Sequence, residues 1–178
     1  MKPVIWPYAK LSDGSWTIPE GVIHKTWERL VELNRVDATW YDGSVQDEKD
    51  FIEFLQDPYI FPVLVVDANE LRLWLLAWLS DIQRGSARGH FCYLDRYNMN
   101  VTKMLLNYWA KIASLRVIIG ITPESYQLVL KIIQKSGFQI LGTIPQICDM
   151  YYEGRLEGGV ISYYLTKEGD DNGGQEYG

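Results

Sequence analysis

At 178 residues, with 47% apolar and 13% aromatic side chains, the chain is long enough for one well-buried domain and short for two. Its 17 Lys+Arg against 23 Asp+Glu give a net charge of −6 and no basic stripe, which argues against nucleic acid as the main partner. Two cysteines, Cys92 and Cys148, and two histidines, His24 and His90, have no metal-ligand spacing. A reducing, cytoplasmic setting is the expectation. The first residues lack a basic start followed by an apolar run, so no secretory leader is expected. No stretch has the length of a membrane-spanning helix. Seven tryptophans and twelve tyrosines imply a ring-rich core or a concave surface lined by rings.

Residues 1–20 read as an N-terminal arm, with Pro3, Pro7 and Pro19 and a short strand at Val4–Tyr8. From Gly21, Val22, Ile23, Trp27, Leu30 and Val31 recur at helical spacing to about Asn34. A polar connection with the turn Tyr41-Asp42-Gly43-Ser44 follows, then a short helix over Glu48–Gln56 that Asp57-Pro58 ends. Pro62–Val66, Leu71–Ile82 and Gly89–Leu94 read as three antiparallel strands joined by short turns.

The period then changes. Val101, Met104, Leu105, Tyr108, Trp109 and Ile112 form a helical stripe, with Asn98 or Asn100 as N-cap. Arg116–Ile121 is a buried strand. Thr122-Pro123-Glu124 carries the signature of a helix start, and that helix buries Leu128, Val129, Ile132 and Ile133 before Gly137 closes it. Gln139–Ile144 and Val160–Leu165 are the last two strands, with Glu153-Gly154-Arg155 in the connection. The Gly- and Asp-rich tail over 167–178 is expected to be disordered.

Local hairpins followed by a β-α-β crossover give an α/β domain with a mixed, mostly antiparallel sheet of about six or seven strands and helices on both faces. The closest local pattern is Lys135, Gly137 and Phe138 after a strand and helix. On these residues and this element order, residues 21–166 resemble the GNAT superfamily of acetyltransferases. The segment Ser86-Ala87-Arg88-Gly89-His90-Phe91-Cys92 also looks like phage-encoded members. The departures are Tyr126 at the family's Asn, Val129 at its small residue, and Ile133 at the Tyr that protonates the leaving thiolate in many members.

The resemblance implies acetyl transfer from acetyl-CoA to a small-molecule or peptide amine. The family's phosphate loop corresponds to Arg96-Tyr97-Asn98-Met99-Asn100-Val101; Arg96 matches it, whereas Met99 and Val101 replace glycine-like positions. Asn98, Asn100 and Thr102 are then the loop's hydrogen-bonding residues, and Cys92, Tyr93 and Leu94 form the strand whose backbone meets the cofactor. His90 is the candidate base, competing with a strand histidine bonded locally. Asp95 lies where the acyl group would be, competing with a solvated turn acid. Tyr126 is the candidate replacement acid, competing with packing on the sheet. Glu124 is explained as a first-turn acid. The alternative reading is an inactive structural or assembly protein of a phage particle, in host cytoplasm or virion, with homo-oligomers or phage proteins as partners.

Overall fold

The computed structural model describes residues 2–70 and 72–166, so the tail from Lys167 lies outside the described residues. The chain opens with β1 (Pro3–Pro7), α1 (Glu20–Glu32), α2 (Val36–Thr39) and α3 (Glu48–Leu55). Strands β2 (Phe61–Asp67), β3 (Leu73–Gln83) and β4 (Ser86–Tyr93) follow, then α4 (Met99–Ile112), β5 (Val117–Pro123) and α5 (Gln127–Lys135). A hairpin of β6 (Gln139–Met150) and β7 (Arg155–Leu165) completes the described chain.

The strands form one seven-stranded sheet in the order β1-β2-β3-β4-β5-β7-β6. All neighbours are antiparallel except β4 and β5. This is the mixed α/β architecture expected from the sequence. The strand expected at Val4–Tyr8 forms as β1 and pairs with β2 from Pro3↔Asp67 to Pro7↔Val63.

Helix α1 buries Ile23, Thr26 and Leu30, which lie three and four residues apart and so share a face. Asp47 caps α3 by accepting the Asp50 N–H at 2.9 Å. The polar connection after α1 also holds α2, a single turn that apolar periodicity does not mark.

Two cores result, one on each side of the sheet. Leu75, Ala77, Ala87, Leu105, Trp109, Ile118, Ile133 and Phe138 pack on the side of α4 and α5. Leu30, Trp40, Phe51, Leu64, Leu76, Trp78, Cys92 and Leu94 pack on the side of α1–α3. The period-two alternation of β3 and β4 sends successive side chains to opposite cores.

The helix start expected at Thr122-Pro123-Glu124 is not there. Thr122 and Pro123 instead pair with Val160 and Gly159 as the last residues of β5, and α5 begins at Gln127. A proline is tolerated in this central strand for a specific reason. The Glu124 N–H donates to Gly158 O, so by ladder alternation the nitrogen of residue 123 faces β4, where no strand is paired.

Candidate functional site

The parallel register of β4 and β5 holds for Ser86↔Val117, Ala87↔Ile118 and Arg88↔Ile119 and then ends. Beyond it the strands diverge, and a cavity of about 160 Å³ opens between Gly89–Tyr93 and Gly120–Pro123. Because the opening is a gap in the sheet, it has a wall on each face. Val129, Ile132, Ile133 and Phe138 line one side, and Arg35, Ala38, Thr39 and Tyr41 line the other.

Backbone polarity inside the cleft follows from the β3–β4 ladder. The Leu94 N–H donates to Trp74 O at 2.9 Å, which places the N–H groups of Leu94, Cys92 and His90 toward β3. Those of Phe91 and Tyr93 therefore face the cleft, opposite no β5 partner. Two backbone donors on a splayed strand can receive an extended amide or stabilise charge on an acyl oxygen.

On β5, Gly120 forms a notch. A Cβ there would lie 2.7 Å from Ser162 Oγ. Ser162 is fully buried on β7, lines the cavity, and spends its hydroxyl only on a long 3.4 Å contact to Gly120 O.

His90 lies in the cleft wall on the α2 side. Its ring is sandwiched against Trp78, and Nε2 meets Ser80 Oγ at 3.0 Å. Burial, aided by the nearby Arg88 charge, pushes its pKa down to about 3. The imidazole is therefore neutral near pH 7 and a weak proton acceptor. The residue expected as a base thus lies in the cleft as a locally bonded ring, the competing reading of the same position.

Asp95 is corrected: it lies outside the cleft, in a 2.7 Å ion pair with Arg72. Tyr126 does reach the cleft, where its ring meets Tyr41 edge-on at 6.3 Å. Burial raises its phenol pKa, with the nearby carboxylates of Glu153, Glu157 and Asp37 adding to the effect.

The expected phosphate-loop residues separate in the structure. Asn98 is the cap of α4, and its side chain accepts the N–H groups of Asn100 at 3.0 Å and Val101 at 3.4 Å. Thr102 is fully buried and hydrogen-bonded to Tyr93 Oη and, at 3.2 Å, to Asn98 O. It cannot meet a phosphate there. Arg96 and the Asn100 side chain are exposed before and within the first turn. Val101 is 1% exposed in the core.

Of the three strand residues, Cys92 lines the cleft, but burial raises its thiol pKa. Tyr93 faces the cleft by its backbone, while its phenol, raised to about 12 chiefly by burial, turns to Thr102. Leu94 is fully buried, with its N–H already bonded to Trp74 and its carbonyl to Arg29 Nε at 3.1 Å. Leu94 is thereby corrected out of the site.

The unpaired edge of β4 presents backbone donors opposite the apolar wall of α5, the polarity an extended amide-bearing arm requires. A diphosphate is served less well, because the Asn98 side chain occupies the first-turn N–H groups. Tyr97 Oη also reaches across to Ser136 Oγ at 3.3 Å, joining this loop to the end of α5. Among the described residues, no group of His, Cys, Asp and Glu side chains could hold a metal ion. No described helix is long and apolar enough to cross a membrane.

Residues that sequence reasoning missed are Arg35, Thr39, Tyr41, Gly120 and Ser162. A glycine inside the apolar run Val117–Ile121 was the available signal for Gly120, since it marks a close approach. No comparable signal marks Arg35, Thr39 or Tyr41.

Solved acetyltransferases share this architecture. The spermidine N-acetyltransferase from Vibrio cholerae, in complex with CoA and spermine, superposes with a TM-score of 0.71 at 15% identity, covering 92% of this chain and 95% of that one. Ribosomal-protein-S5-alanine acetyltransferase from Vibrio fischeri gives 0.65 at 13% identity, covering 85% and 91%. At these identities the likeness establishes the fold, which is the GNAT fold. No protein-family model and no curated protein sequence matches the chain.

Proposed function

We propose that the protein transfers an acetyl group from acetyl-CoA to an amine, with the two reactants entering the cleft from opposite faces of the sheet. The observation that carries this reading is the two-sided opening between β4 and β5, with free donors at Phe91 and Tyr93 on its edge. The fold shared with the two acetyltransferases supports it.

Acetyl-CoA supplies the activated acyl group. The chain's own residues align and polarise. Val129, Ile132 and Ile133 offer an apolar wall for the pantetheine arm, and the Phe91 and Tyr93 N–H groups face the gap where an acyl oxygen would gain charge. Tyr41 and Tyr126 line the entry for the amine. Neutral His90 is too weak a base to deprotonate an alkylammonium, so the amine enters as its free base, its proton already given up to the bulk buffer. Ile133 has no proton to give; of the paired phenols on the cleft wall, Tyr41 and Tyr126, we assign the acid to Tyr126, which is carried at the start of α5.

The test is calorimetry with acetyl-CoA, followed by detection of free CoA thiol when an amine is added. Micromolar binding with amine-dependent thiol release supports transfer. No heat at millimolar acetyl-CoA overturns it. The alternative of a structural role in a phage particle rests on Met99, Val101 and Ile133 and on the likeness of Ser86–Cys92 to phage-encoded members, and neither acetyltransferase above lends it support.

A further inference from the structure

The α2 side of the cleft has a chemistry of its own. Arg35, Thr39, Tyr41, Trp78, His90 and Tyr126 line it. Trp40, Trp78 and His90 form a continuous stack, with centroids 5.7 and 4.8 Å apart and planes 5° and 4° from parallel. Tyr41 and Tyr126 close the chamber edge-on. Among the described residues lining the cleft there is no carboxylate, and the one formal charge is the Arg35 cation.

The acids outside are largely committed. Asp42 holds its own turn through Ser44 N and Oγ at 3.1 and 2.7 Å. Glu153 and Glu157 both pair with Arg155 at 2.6 Å, and Glu157 also accepts the Ser125 N–H at 2.6 Å. Asp37 and Glu124 remain at the surface.

We propose that this chamber selects an amine carried on an aromatic or branched apolar body with a single cationic group, and rejects polyamines. The proposal rests on the acyl-transfer reading for its chemistry, but its binding claim stands apart from it. An aromatic body gains contact area with the ring walls. A polyamine brings further ammonium groups that would be desolvated with no carboxylate partner and with Arg35 repelling them. This separates the chain from the Vibrio cholerae enzyme whose structure holds spermine.

The experiment compares 2-phenylethylamine with spermine by calorimetry at physiological ionic strength, on the free protein and again with CoA present. The expected result is aryl-amine binding at least about tenfold tighter than spermine. Arg35→Glu, at an exposed position, then narrows that gap by raising spermine affinity about tenfold. Spermine binding as tightly as the aryl amine, or no aryl-amine binding in either condition, overturns the proposal. Selective aryl-amine binding without thiol release from acetyl-CoA would leave the chamber's selectivity standing and remove the transferase reading instead.

Discussion

The ring of His90 lies flat against Trp78, centroids 4.8 Å apart and planes 4° from parallel, and this contact decides what the histidine can do. Folded, it titrates at about 3; unfolded, near its ordinary value of 6.5. The unfolded chain therefore binds more protons between those values, and stability rises with pH across that window. His90 should weaken the fold by up to about 1.4 kcal/mol per pH unit as pH falls below 6.5 toward 3. Denaturant unfolding at stepped pH checks this: His90→Gln should flatten the acid limb. If transfer occurs, the same variant should leave the pH-rate profile without a lost inflection near 6.5, since the neutral ring is no base.

Asn98 competes with any phosphate for the first turn of α4. Asn98→Gly should cost only a few tenths of a kcal/mol, because glycine is a tolerable N-cap, whereas Asn98→Ala should cost about 1 kcal/mol. Both free the Asn100 and Val101 N–H groups. Acetyl-CoA should bind Asn98→Gly more tightly than the parent chain, a difference titration calorimetry reads directly. Weaker binding would mean that the Asn98 side chain itself contacts the diphosphate.

The Gly120 notch predicts a compensating pair. Gly120→Ala drives a methyl to 2.7 Å from Ser162 Oγ and should destabilise by about 1–3 kcal/mol. Ser162→Ala alone removes only a long hydrogen bond and should cost less. The double variant should recover most of the Gly120→Ala loss, giving a clear coupling energy in a double-mutant cycle of unfolding free energies.

The order of elements along the chain was legible because apolar periodicity changes from two to helical spacing at Asn98–Val101, and because Asn98 and Gly137 are local signals for the start of α4 and the end of α5. Thr122-Pro123 misled for a physical reason: a proline reads as a first helical residue unless one knows that the neighbouring strand has splayed away. The hairpin of β6 and β7 runs further than expected because bulges absorb its irregular residues. Pro145 and Gln146, the latter at φ 57°, fall between Ile144 and Cys148, where the register shifts.

The site was legible only where chemistry and strand coincide. His90, Cys92, Tyr93 and Tyr126 do gather at the cleft. Asp95 does not, because Arg72 draws it to another surface. Thr102 does not, because the first turn of α4 rotates it under Tyr93. Arg35 and Tyr41 could not be read, since they flank a one-turn helix with no periodic signal.

The most direct test of the central claim is amide hydrogen exchange on β4, read by NMR with and without acetyl-CoA. The Phe91 and Tyr93 amides should exchange readily in the free protein and become protected on binding, while Cys92 and Leu94, already bonded to β3, stay protected throughout. Unchanged exchange at Phe91 and Tyr93 with acetyl-CoA bound, or protection appearing only elsewhere, would contradict a cofactor seated in the cleft between β4 and β5.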